Sequence, residues 1–307
     1  YTQFERLMNA GGPTAGQIIR PSDQHHAHKI AWIQCAGRGL EGGIPYCSKV
    51  CCMVAAKQTI ITKEHDPSVE TIVFESRQAA SDPFVIETLR NAEALFIAGG
   101  DQSKYVRYWQ NTPVQDAVNY LAAKPAPIGG TSAGMAILGE FVYSAMTESV
   151  TTESGLGDPF NVDLTLARDF LDLPWMANII TDQHLQERHR IGRTIAFLAR
   201  LVEDGWTEQA RAIAADRETA VHIEPETGKA VVFATADHET PYAYFMRTTG
   251  DPEQCIAGQP LTYKNIEVYR IGPGGSFDIG KWQGEGGISY VLGAEDGHLM
   301  SSRESPY

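Results

Sequence analysis

A serine at position 132 sits among small neighbours, in Gly130-Thr131-Ser132-Ala133-Gly134. An apolar run ending at Pro127-Ile128-Gly129 leads into it, and Met135-Ala136-Ile137-Leu138 follows. That is the strand–turn–helix context of a nucleophile elbow. A serine held at a sharp strand-to-helix turn needs neighbours with little side-chain bulk. The N–H of Ala133 would then face a developing oxyanion, and the start of the helix adds a partial positive charge. A plain Gly/Ser turn has the same pattern, so the chemistry depends on what else reaches that turn.

Three candidate strand ends carry polar residues: Gly99-Gly100-Asp101-Gln102, Thr131-Ser132 and Asp182-Gln183-His184. In open α/β sheets, sites form outside the carboxyl ends of the strands. A serine hydroxyl is a weak nucleophile until a base takes its proton, and His184 is the natural base. The alternative is a structural or surface histidine. Gly99 and Gly100 would let backbone N–H groups approach the same oxyanion as Ala133. The alternative there is a simple strand-terminating turn.

The elements that would position these groups alternate. A strand is expected at Lys29–Gln34 and a helix over 53–63, with a break at Asp66-Pro67-Ser68. Thr71–Phe74 reads as a strand. Pro83–Ala92 reads as a helix, capped by Asp82 or Ser81 with Pro83 in its first turn. Ala94–Ala98 is a buried strand, Pro113–Ala123 a helix with Val114, Ala117, Val118 and Leu121 at helical spacing, and Asn178–Thr181 a strand. Ile191–Leu201 is a helix, and after Asp204 the pattern turns to short strands at 211–215, 219–223, 229–234 and 265–271. Strand–helix alternation predicts a parallel sheet with helices on both faces. Tyr242, Arg247 and the Gly274-Gly275 turn carry no readable motif and are expected to be structural.

The chain of 307 residues is 43% hydrophobic, long enough for one large α/β domain or two smaller ones. No stretch approaches the roughly 18 apolar residues of a membrane span. The net charge is −13, with no basic stripe to meet phosphates, so neither a nucleic acid nor a membrane is an expected partner. The chain opens at Tyr1 rather than a methionine, as a fragment or a processed product would. Of five cysteines, four fall between Cys35 and Cys52 and Cys255 stands alone, which argues for thiolate chemistry in a reducing compartment and a cytoplasmic location.

From about residue 69 to the C-terminus, the three ordered motifs resemble cyanophycinase and its relatives in serine peptidase family S51. They are Gly99-Gly100-Asp101-Gln102, Gly129–Gly134, and Asp182-Gln183-His184 followed by Arg188, Arg190, Gly192 and Arg193. The resemblance implies a three-layer αβα sandwich with a mostly parallel sheet, of the class I glutamine amidotransferase-like or flavodoxin-like kind. It implies a serine exopeptidase that cleaves the aspartate backbone of cyanophycin, an arginine-decorated polyaspartate, to β-Asp-Arg dipeptides. No cofactor is expected for this hydrolysis. Carried over residue by residue, Ser132 is the nucleophile and His184 the base, with Gly100 and Ala133 as the oxyanion hole. Asp101, Gln102, Asp182, Gln183, Arg188, Arg190 and Arg193 fall at substrate-pocket positions. Arginines can bind carboxylates bidentately and carboxylates can bind guanidinium groups, which suits such a substrate, although a solvated helix face would look similar. In that family the third triad member is a glutamate between serine and histidine, so Glu153 is expected here, with Glu148 as the alternative. Related enzymes are commonly homodimers; the residues leave oligomeric state open.

The front end is different material. Cys35-x11-Cys47-x3-Cys51-Cys52 lacks the paired C-x2-C units of a zinc ribbon. Four nearby thiolates can hold a [4Fe-4S] cluster. Gln3–Leu7, Arg20–Asp23 and Pro45–Met53 resemble a piece of the iron-sulfur flavoprotein component of heterodisulfide reductase, over about residues 1–67. In that family these four cysteines are cluster ligands within a flavin-containing polypeptide, yet no G-x-G-x-x-G follows a strand here. Cluster ligands and plain buried or free thiols remain the two readings. Residues 1–68 are therefore expected to form a cysteine-rich segment and 69–307 a peptidase domain whose first strands are missing or replaced.

Overall fold

The computed structural model describes residues 11, 14–19, 25–34, 50–75, 81–124, 126–235 and 241–307. The chain divides into two compact units. One holds the described residues up to Leu138 together with Phe170–Pro174, and the other holds Gly139–Asp169 and Trp175–Tyr307. Both combine helices with sheets, so the protein is a mixed α/β fold.

The first unit runs β1 (Lys29–Gln34), α1 (Val50–His65), β2 (Glu70–Glu75), α2 (Pro83–Asn91), β3 (Leu95–Ile97), α3 (Gln102–Trp109), α4 (Pro113–Ala123), β4 (Ile128–Gly130) and α5 (Ala133–Ala136). Its four described strands are all parallel, in the order β2-β1-β3-β4. The chain leaves β1 for one side, then crosses back to build on the other. The reversal makes a switch point between β1 and β3, where carboxyl strand ends splay and leave a crevice.

Local chemistry sets the helix starts. The Asp82 side chain accepts from Phe84 N at 2.9 Å and Pro83 supplies the fixed φ of the first turn. Pro113 does the same for α4. Val85 and Leu89 of α2 and Val114, Val118 and Leu121 of α4 are buried. Each such aliphatic side chain removed from water contributes roughly 1.5–3 kcal/mol. β1 comes from the cysteine-rich stretch, yet it is hydrogen-bonded on both edges, to β2 and to β3. The compact unit thus runs through the composition change at residue 68.

The second unit runs β5 (Val142–Tyr143), α6 (Thr152–Gly157), β6 (Leu166–Ala167), β7 (Ile179–Gln183), α7 (Ile191–Glu203), β8 (Arg211–Ala215), β9 (Thr219–Ile223), β10 (Lys229–Ala234), β11 (Ala243–Arg247), β12 (Tyr263–Ile271), β13 (Ser276–Asp278), β14 (Gln283–Glu285), β15 (Ile288–Glu295) and β16 (His298–Ser301). Its largest sheet has the order β16-β15-β12-β11-β8-β7. β7 and β8 are parallel, with Gln183 opposite Ala215; the other pairings are antiparallel. A second antiparallel sheet, β14-β13-β10-β9, follows the pattern of short strands after Asp204. α7 is buried on almost every side, as a helix inside a core must be. Ile195, Phe197, Leu198 and Leu201 share that core with Ala212, Ala214, Tyr244, Met246 and Ile266 of the sheet.

Among the described residues no helix is long and apolar enough to cross a membrane.

Candidate functional site

Ser132 lies in the first unit. β4 ends at Gly130, and Ser132 caps the short helix α5 with φ 52° and ψ −119°. A non-glycine residue in that region costs on the order of 1–3 kcal/mol and persists only when its surroundings over-determine it. They do so here. Thr131 N donates to Ile97 O at 3.1 Å, Gly134 N to Thr131 O at 2.9 Å and Ala136 N to Ser132 O at 2.9 Å. Gly134 packs onto the end of β3: a Cβ there would overlap the Ile97 carbonyl and lie 2.7 Å from Ala98 O. No residue but glycine lets helix and strand come that close.

The end of β3 runs beside the serine. A Cβ on Gly99 would stand 3.0 Å from Ser132 Cβ and 3.6 Å from Ser132 Oγ. Gly100 follows at φ 143°, exposed at the switch point between β1 and β3. As the first residue of α5, Ala133 has no intrahelical acceptor for its N–H. Asp101, expected at the substrate pocket, is the cap of α3 instead. Its Oδ1 accepts from Ser103 N at 3.0 Å and Ser103 Oγ at 2.6 Å, and Lys104 Nζ lies 3.7 Å from Oδ2. A carboxylate so engaged serves the helix start. Gln102 opens α3 and is half-buried.

His184 lies in the second unit. β7 buries Thr181, Asp182 and Gln183, and His184 leaves the strand end with φ 56°. Its Nδ1 is 2.8 Å from Glu187 Oε1. Burial holds the His184 imidazole below the usual histidine range; the Glu187 hydrogen bond opposes this and the Arg188 charge adds to it. Burial pushes the Glu187 carboxyl up, but bonds from its own N–H, from His184 and from Arg217 N outweigh that and leave it below the ordinary value. The expected partner Glu153 is exposed in the first turn of α6, and Glu148 is exposed with its N–H on Asp163. The carboxylate on the imidazole is therefore Glu187. A glutamate three residues from the histidine on one turn was visible in the sequence as Asp182-Gln183-His184-Leu185-Gln186-Glu187. Only the turn's curvature brings the two side chains together.

Asp182 and Arg193, expected to touch substrate, are committed to each other. Both are 1% exposed. Arg193 donates bidentately to Asp182, with Nε on Oδ2 at 3.0 Å and Nη2 on Oδ1. Thr194 Oγ1 and Gln183 N, each at 2.8 Å, complete the carboxylate's shell. The Arg193 guanidinium also lies 5.2 Å over the Tyr143 ring. The pair clamps β7 to α7. Arg190 Nη1 donates to Gln183 O at 3.0 Å and Gln183 Oε1 at 2.8 Å, and burial pushes its guanidinium down to about 10. Arg188 is exposed.

Asp216, at the end of β8, was not singled out in the sequence. It is 4% exposed and accepts from Gln186 N at 2.9 Å, inside the turn that carries His184. Burial pushes its carboxyl up to about 6. Its sequence signal is weak, because its role depends on β7 and β8 being parallel neighbours.

Of the expected cluster ligands, Cys35 and Cys47 lie outside the described residues, and Cys51 and Cys52 fall in the first turn of α1. Cys255 is buried, and its thiol is pushed up to about 12. Among the described residues no group of three or more His, Cys, Asp or Glu could hold a metal ion.

No family model matches the chain. Over 72 residues it is 47% identical to the iron-sulfur subunit of the CoB–CoM heterodisulfide reductase of Methanocaldococcus jannaschii, covering 23% of this chain and 11% of that protein. Over 122 residues it is 33% identical to the corresponding polypeptide of the ferredoxin:CoB–CoM heterodisulfide reductase of Methanosarcina mazei, covering 36% and 15%. The chain thus spans about a tenth to a seventh of the length of these curated relatives. Its structural neighbours are peptidases. One is a peptidase from an acI-B1 Actinobacterium, with TM-score 0.49, 15% identity and 90% of each chain covered. Another is a protein assigned to peptidase E from Listeria monocytogenes EGD-e, with TM-score 0.39, 14% identity, and 68% of this chain and 87% of that one covered.

Proposed function

We propose that this chain is a serine hydrolase that cleaves an arginine-bearing aspartyl backbone of the cyanophycin type, releasing β-aspartyl-arginine. The observation that carries the reading is the backbone of Ser132: a strained, positive-φ serine at a strand-to-helix turn, walled by Gly99 and followed by a helix start. Strain of this kind collects where geometry serves chemistry.

In this reading Ser132 Oγ attacks the carbonyl. His184 takes the proton through Nε2, because Nδ1 is engaged by Glu187, and returns it to the leaving amine. Glu187 fixes the tautomer and stabilises the imidazolium. The N–H groups of Ala133 and Gly100 receive the oxyanion. Water, giving a proton to His184, then attacks the acyl carbonyl; the ester bond to Ser132 breaks, Oγ takes the proton back and the acid product leaves. The lowered His184 pKa keeps the base neutral, hence competent, at neutral pH. Substrate carboxylates fall to Arg188 and Arg190, with Gln102 and Gln183 as polar contacts; the net charge of −13 favours approach of a guanidinium-rich substrate.

A fluorophosphonate probe should label the wild type and not Ser132→Ala. Mass spectrometry after incubation with cyanophycin should show β-Asp-Arg from the wild type alone. Folded wild type that takes no label would be a binding-only relative, and labelling without dipeptide release would reject the substrate.

A second reading concerns only the N-terminal segment. Its similarity to part of an iron-sulfur protein supports Cys35, Cys47, Cys51 and Cys52 as ligands of an electron-carrying [4Fe-4S] cluster. Anaerobic reconstitution should then give a visible absorbance band and about four irons per chain. Colourless, iron-free protein after that treatment would remove it.

A further inference from the structure

The turn that carries His184 is held partly from outside. His184 and His189 both have left-handed backbones, φ 56° and 50°. The bonds closing the turn are Arg188 N to His184 O, His189 N to Gln186 O and Arg190 N to Leu185 O. The Gln186 N–H points instead out of the turn, to Asp216. β7 and β8 are parallel with Gln183 opposite Ala215, so His184 and Asp216 leave the sheet at the same edge. Two further bonds tie the same ends: Leu185 N to Ala215 O at 3.4 Å, and Arg217 N to Glu187 Oε2 at 3.3 Å.

Asp216 is itself fixed from the other side. Its Oδ2 accepts from Tyr244 Oη at 3.2 Å and Tyr242 N at 3.3 Å, and its own N–H donates to Tyr242 O at 3.0 Å. The titratable and charged groups facing it are Glu187 on the turn, Tyr244 of β11, Tyr290 of β15, Tyr307, and Arg270 of β12, which acts on Tyr244 and Tyr290 and stacks 4.0 Å over the Tyr242 ring. An amide at this position would turn one of the two accepting oxygens into an NH2 facing a donor.

We infer that Asp216 is the positioning residue for His184, holding the 184–189 turn so that the imidazole is presented with Glu187 on Nδ1. The inference rests on the hydrolase reading above.

The test combines the labelling rate with hydrogen exchange. The fluorophosphonate rate of the wild type should fall on acidification as His184 gains its proton. In Asp216→Asn the rate at pH 8 should be about 10- to 100-fold lower, and the pH at which the rate falls should shift as the imidazole loses its fixed Glu187 partner. Backbone exchange over 184–190, corrected for intrinsic rates, should be slow in the wild type at pH 8. It should speed up in Asp216→Asn, while α7 stays protected. Asp216→Glu, which keeps a carboxylate, should label faster than Asp216→Asn, and it carries the comparison if the amide variant does not fold. Labelled wild type with an unchanged rate in both variants, or unchanged exchange of the turn in Asp216→Asn, would overturn the role of Asp216 alone. Unlabelled wild type would overturn the hydrolase reading, and this role with it.

Discussion

His184 Nδ1 and Glu187 Oε1 are 2.8 Å apart on a single turn. The carboxylate on this imidazole is therefore local, supplied by the same loop rather than by a distant element. Such an arrangement makes the pair sensitive to the shape of one short turn and insensitive to the exposed glutamates of α6 and the loop before it.

Glu187→Gln should lower the fluorophosphonate rate by roughly 10²- to 10⁴-fold, because the amide no longer holds the imidazolium or its tautomer. Glu153→Gln and Glu148→Gln should leave it unchanged. A full rate for Glu187→Gln together with a collapse for Glu153→Gln would reverse the assignment.

Ser132→Gly should remove the nucleophile and raise stability. Relief of a positive φ returns about 1–3 kcal/mol, and the extra freedom of the unfolded glycine chain takes back about 0.5–1 kcal/mol. The net gain of roughly 0 to 2.5 kcal/mol should leave the melting temperature level or raise it by up to several degrees. A variant that melts lower than the wild type would show that the serine is not strained.

Asp182→Asn should cost about 3–5 kcal/mol, since it leaves the Arg193 guanidinium buried beside an uncharged partner. The urea midpoint measures this. A variant of unaltered stability that had lost only substrate affinity would return Asp182 to the binding pocket.

Asp216 also shapes stability with pH. Its folded pKa, about 6, lies above the ordinary value of 3.8, so its contribution is fully present below the unfolded value and is lost as pH rises through about 6. The loss amounts to about 3 kcal/mol. His184 acts with the opposite sign, as its folded pKa is lowered: its contribution is present above the unfolded value and lost as pH falls through the folded one. It is common to both proteins and cancels in a comparison. The melting temperature of Asp216→Asn minus that of the wild type should therefore climb between pH 4 and 7 and then level off. A flat difference would mean that the carboxyl is not raised.

Short-range physics was legible in the chain itself. Pro83 and Pro113 marked helix starts, alternating apolar runs marked β1, β3, β7 and β8, and two glycines around Ser132 marked a turn that tolerates no bulk. These signals depend on neighbours within a few residues, so one sequence suffices to read them. α3 and the strands β13 to β16 were not anticipated: Asp101, which caps α3, has the residue type of a pocket contact as well as of a cap.

Tertiary structure decided the rest. Asp101, Asp182 and Arg193 have the residue types of a binding pocket, and their charges are instead consumed by a helix cap and a buried clamp. Glu187 and Asp216 gained their roles because a left-handed turn and a parallel strand pair bring groups together that the linear order leaves apart. β1 joined the sheet despite the composition change at 68, since both edges of a strand can pair with whatever backbone lies beside them. Composition and spacing say which groups are available for chemistry; only folding determines which remain unspent once the chain has satisfied its own buried charges.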